Sequence, residues 1–142
     1  MGQILSLRHY RHDVIAHSHE HAQVVISLSG KLDFEVDGRA SLLHQQHLII
    51  VPAGAHHTCG SPQGSHCLVL DVPGENWLGQ SLGNHADASR RLLDTAGHLP
   101  LDPRQHQLVS WLAASPVTDP LIAHQGAILL LASLNTLAPE QA

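Results

Sequence analysis

The chain has 142 residues and a formal charge of −5 at pH 7, with charged residues held to 13% and histidine raised to 14 copies. That length fits one domain with a sizeable core, and seven Lys and Arg with no cluster beyond Arg90-Arg91 exclude a phosphate-binding surface of its own. Two cysteines, no secretory signal and an apolar run (AILLLASL) too short to cross a bilayer exclude a disulfide framework and a membrane span, so a cytoplasmic protein is expected.

The opening MGQILS matches a myristoylation pattern, but Gln3, Ile4, Leu5 and Leu7 also read as a first strand. Up to about Pro73 the text stays β-like. Short apolar or alternating runs cover Val14 to Ala16, Val24 to Leu28, Leu32 to Val36, Leu42 to Leu43, Leu48 to Val51 and Leu68 to Val72. Turn residues separate them at close intervals, which predicts an antiparallel sandwich or barrel. Leu32, Phe34 and Val36 alternate with Lys31, Asp33 and Glu35, and Asp37-Gly38 then predicts a two-residue hairpin. GSPQGS is a further loop between Cys59 and Cys67, which are expected as free buried thiols.

After VPGENW the pattern turns helical. Asp87 is placed to cap a short helix through Leu93, closed by Gly97. DPRQ is a start signal, with Asp102 at the cap, Pro103 at the first helical position and Gln105 placed as in a capping box. DPLI repeats the device at Asp119 and Pro120, and the helix after it is expected to run to about Leu137. Its apolar residues, from Leu121 and Ile122 through Leu134, cover most of the circumference. One barrel face cannot bury them all, so part of this helix is expected to meet a second subunit. Trp77 and Trp111 read as packing residues.

The chemistry is concentrated in HSHEHAQ and VPAGAHH. Side chains at i and i+2 on a strand point the same way, so His17 and His19 are placed to present two imidazoles to one point. Imidazole nitrogens suit Zn, Fe, Ni or Cu. Gln23 offers an amide oxygen, and His56 and His57 follow a turn made by Pro52 and Gly54. Glu20 should face away. His21 and His56 read as rim residues, His44, His47 and His66 as strand-end surface residues, and His98 carries no partner spacing.

His17-x-His19-x3-Gln23-x6-Gly30 resembles the first cupin motif, with Gln in the place of the usual Glu, and Pro52-x-Gly54-x2-His57 resembles the core of the second. The resemblance implies a mainly β fold: a small single-domain cupin, a jelly-roll-like double-stranded β-helix over residues 1–75. Two or three C-terminal α-helices over 76–142 would pack on the barrel. It further implies a ligand or metal site at His17, His19, Gln23 and His57, with Zn, Fe, Ni or Mn as candidate ions. Three positions depart from the motifs: Gln23 replaces an acid, Gln46 stands where the second motif opens with Gly, and Ser61 where it ends with Asn.

A narrower resemblance rests on the HxH, on SGKLDFEVDGRASLLHQQHLIIVPAGAHH, and on LPLD followed by two helices. Together these resemble the N-terminal sensing domain of AraC-type transcription regulators. That implies a small-molecule effector in the barrel and a homodimer through the C-terminal helices. DNA would be contacted only through a helix-turn-helix domain, for which these residues show no pattern or basic stripe. The alternatives are a small metal-dependent cupin enzyme, of dioxygenase or isomerase type, and a storage or interaction cupin without a small ligand.

Overall fold

The computed structural model describes residues 3–11, 15–95, 97–114 and 119–135, and for Ile15, Ala16 and His17 the backbone alone. Val14 and the expected helix end near Leu137 lie outside the described residues. Among those described, nine strands form: β1 (Leu5–Tyr10), β2 (Ile15–His17), β3 (Gln23–Gly30), β4 (Leu32–Val36), β5 (Arg39–Leu43), β6 (His47–Val51), β7 (His57–Gly60), β8 (Ser65–Asp71) and β9 (Gly97–Pro100). They make two antiparallel sheets, β1-β8-β3-β6-β9 and β2-β7-β4-β5.

The two-residue period of a strand divides the apolar residues between two cores. Val25 on β3, Ile49 and Val51 on β6, and Cys67 and Val69 on β8 face the other sheet and meet Leu32, Phe34, Val36, Leu43 and Cys59 inside the barrel. Their neighbours Val24, Ile26, Leu48, Ile50, Leu68 and Leu70 face outward and are equally buried, because helices cover that side. The five-stranded sheet is therefore apolar on both faces, and its strands read as continuous rather than alternating runs. Sheet β2-β7-β4-β5 has one covered face, and β4 accordingly alternates buried and exposed.

Two turns fix the register. Asp37 (φ 48°) and Gly38 (φ 85°) both lie in the left-handed region, as a type I′ hairpin requires, and Val36 pairs with Arg39. Gly30 ends β3 at φ 78°, where a Cβ would run into the carbonyl oxygen of Gly64. That close approach explains the motif glycine.

The helices are α1 (Glu75–Leu82), α2 (Ala86–Leu93), α3 (Pro103–Ala114) and α4 (Pro120–Leu134). A 3-10 turn over Gly83–His85 runs α1 into α2, leaving three helical blocks. The caps of the last two are as the sequence predicts. Gln105 N–H donates to Asp102 Oδ1 (2.8 Å) while Asp102 N–H donates to Gln105 Oε1 (2.9 Å), a reciprocal capping box. Asp119 accepts from the amides of Leu121 and Ile122. Among the described residues no helix is long and apolar enough to cross a membrane.

Three expectations need correction. Asp87 is not a cap: α2 begins at Ala86 behind His85, and Asp87 instead pairs with Arg90 at 2.6 Å. Gly97 does not close that helix, because it opens β9. The region expected to be helical thus returns a strand to the barrel sheet, paired with β6 from His47↔Pro100 to Ile50↔Gly97. Trp111 is not a packing residue here, being 55% exposed.

Candidate functional site

The site is built on β1, β3, β4 and β7 and the loop after β2. Gln23 shares the inward face of β3 with Val25 and is 4% exposed. His57 opens β7, is 5% exposed, and stacks on Phe34 of β4 with ring centroids 5.7 Å apart. β2 ends at His17, so His19 sits in a loop rather than on a shared strand face. The loop nevertheless carries His19 to His57, at 5.3 Å between centroids. His17 stands opposite His57 in the β2–β7 register, and its side chain lies outside the description.

Around these groups lies a recess of about 290 Å³ whose lining includes Arg8, Tyr10, His19, Gln23, Phe34 and His57. Its walls are mostly apolar. Burial pushes the Tyr10 phenol up to about 12, with the Cys59 and Cys67 thiols adding to the effect. Burial likewise raises Cys59 to about 11, against the opposing pull of Arg8, and Cys67 to about 12. Both cysteines are free and buried. These groups stay neutral at physiological pH, so the charge lining the recess is that of Arg8 and Arg11.

The sequence reading missed the group that organises the site. Asp71, at the end of β8, accepts from three donors: Gln23 Nε2 (2.7 Å) and His21 Nε2 (2.9 Å) on Oδ1, and Arg8 Nη2 (3.0 Å) on Oδ2. His21 is thereby drawn to the carboxylate, and His56 is exposed, its N–H donated to Asp37 Oδ1. With its NH2 committed to Asp71, Gln23 has its carbonyl oxygen left as the ligating atom. The signal for Asp71 was a lone acid closing the apolar run LVL before VPG, which local spacing cannot connect to Gln23.

The donor set fits a divalent transition ion: imidazoles and an amide oxygen, with a carboxylate one hydrogen bond behind. It lacks an anionic ligand in direct reach, because Gln23 stands where an acid would. Polar groups are thus gathered in one otherwise apolar hollow, where buried polar groups need partners.

Two antiparallel sheets closed round such a hollow define a small β-barrel domain. Residues 9–73 match the model of the Cupin domain family. A stretch of 59 residues is 41% identical to the uncharacterized HTH-type transcriptional regulator YobQ of Bacillus subtilis (strain 168), covering 40% of this chain and 24% of that protein. The chain thus spans about a quarter of that relative's length. Among solved structures it is similar to the EutQ protein of Clostridium difficile (17% identity, 49% of this chain and 55% of that one, TM-score 0.46). It is also similar to a cupin-2 domain containing protein from Shewanella frigidimarina (17% identity, 46% and 65%, TM-score 0.44).

Other histidines also gather. His9 stacks on His66 at 4.3 Å, and Trp77 Nε1 donates to His124 Nε2 at 2.8 Å. His44, His47 and His98 come together at the far end of β6. Burial, then His44, lowers His47, and burial, then His47 and His44, lowers His98.

Proposed function

We propose that this chain is the effector-sensing and dimerisation domain of an AraC-type transcription regulator. A small molecule would bind in the recess against His17, His19, Gln23 and His57, directly or through a divalent metal (Zn, Fe, Ni or Mn). The observation that carries the reading is the convergence of His19, Gln23 and His57 on that recess, in a chain of which 59 residues are similar to a stretch of a transcriptional regulator. DNA contact would fall to a helix-turn-helix domain outside these residues, and a cytoplasmic location goes with it.

The means of transmission is β1. Its inner end supplies Arg8 and Tyr10 to the recess, while Leu5 on the same strand shares a core with Leu130, Leu131 and Leu134 of α4. An effector that draws on Arg8 or Tyr10 therefore acts on the strand that seats α4. Differential affinity for two placements of that helix would bias the spacing of two attached DNA readers. The dimer contact is assigned to exposed apolar residues of the helices: Leu121 (67% exposed), Leu129 (56%) and Trp111 (55%). Leu130 is unsuited to test it, being fully buried within the subunit.

Sedimentation of Leu121→Asp/Leu129→Asp against the unchanged protein tests the assignment. The expected outcome is a dimer for the parent and a monomer with a near-native melting curve for the variant. A parent that sediments as a monomer, or a variant that stays dimeric, would refute this contact.

A further inference from the structure

We propose that His44, His47 and His98 form a second metal site, for a divalent ion of the zinc or nickel class, which fastens strand β9 to the barrel. It is separate from the hollow described above. Val51, at one end of β6, pairs with Gln23. His47 lies four residues earlier on that strand, a separation of about 13 Å.

Local backbone chemistry brings the first two imidazoles together. His47 N–H donates to the His44 carbonyl at 3.2 Å, closing a four-residue turn. Gln46 takes the left-handed conformation inside it, at φ 69°. The turn places its first and last side chains side by side, and the ring centroids of His44 and His47 are 4.2 Å apart. The third imidazole arrives from a distant part of the chain. β9 pairs with β6, His98 opposite Ile49, and Leu101 N–H extends the ladder by donating to the Gln46 carbonyl at 2.8 Å. The His98 ring then lies 4.9 Å from that of His47 and 6.2 Å from that of His44.

One ligand atom from each residue falls within 4.8 Å of the other two. A tetrahedral ion with Zn–N bonds of about 2.0–2.1 Å needs its nitrogens about 3.3 Å apart. His98 is exposed, so its ring has room to turn toward the other two. A second observation points to a ligand: the buried His47 Nδ1 has no hydrogen-bond partner among the described residues. A buried imidazole nitrogen left unmet is unfavourable, and an ion bound through His47 Nδ1 would give that atom its partner. Three imidazoles leave a fourth position for water, as in an open zinc site.

The consequence lies in what the ion would join. β9 is the link between α2 and α3, and two residues past it Asp102 caps α3. An ion held by the β5–β6 turn and by β9 would fix the start of the last two helices relative to the barrel.

Equilibrium dialysis of the whole chain, stripped with chelator and exposed to Zn²⁺ alone near neutral pH, tests the site. The assay runs on the parent, His98→Ala, His44→Ala and His57→Ala. His98 is exposed, so its variant is expected to fold, and melting without zinc checks this for each. The expected result is one zinc retained by His57→Ala, with affinity falling about tenfold or more in His98→Ala and His44→Ala. Zinc should also slow amide exchange over residues 97–101 in the parent and not in His98→Ala. Zinc uptake unchanged in His98→Ala and His44→Ala, or exchange over 97–101 unmoved by zinc, would overturn the site. Zinc lost from His57→Ala alone would assign all binding to the barrel and overturn it too. Zinc lost only from His98→Ala and His44→Ala upholds it, even where the barrel takes no metal.

Discussion

Strand β6 runs between two groups of histidines that are held in different ways. At its Val51 end, the barrel site rests on paired strands, and the carboxylate of Asp71 anchors Gln23 and His21. At its His47 end, a turn and an edge strand bring three imidazoles together with one ring nitrogen unmet. The first site has a carboxylate hydrogen-bonded behind Gln23 and His21, and the second is made of imidazoles. The same side chain thus sits in two settings, and what distinguishes them is the charge and the strand pairing that stand behind the rings.

The largest expected effect is at the anchor of the first site. Asp71→Ala leaves three donors without their acceptor. Arg8 and His21 are each more than a third exposed and can turn to water, whereas the Gln23 amide is buried. The loss should therefore come mainly from Gln23, about 1–3 kcal/mol in urea unfolding. A loss within error would mean that Asp71 does not hold the site. Next in size is Gln23→Glu, which sets a second carboxylate against Asp71 where an amide now donates at 2.7 Å. It should cost about 1–2 kcal/mol in the metal-free protein and be rescued by adding Asp71→Asn, a coupling that a double-mutant cycle measures. Independent, additive losses would break the account of why glutamine replaces the acid. The smallest effect is expected at the other end: Gln46→Gly relieves the left-handed φ and should stabilise by up to ~1 kcal/mol. A destabilised variant would show that the Gln46 side chain, not its backbone, holds the turn.

Parts of both regions were legible in the residues. The hairpin at Asp37-Gly38, the caps at Asp102 and Asp119, and the inward face of β4 follow from interactions spanning two to four residues. His19, Gln23 and His57 were legible as a group because motif spacing carries the barrel geometry with it. Asp71 was not, since its bond to Gln23 depends on β3 lying beside β8. His98 was assigned no partner for the same reason. β9 itself was missed: GHLP is short, contains a proline, and earns its strand conformation from the β6 edge.

The sequence alone determined the periodicities, the turns and caps, and the residue types available to a binding hollow, because each is set by neighbours along the chain. Only the tertiary structure decided that Asp71 stands behind Gln23, that His44 and His47 meet His98, and that Leu130 is buried while Leu129 is exposed. Those outcomes depend on which strands share an edge and which face a helix turns to the sheet. Both are fixed by pairing and packing between segments far apart in the chain.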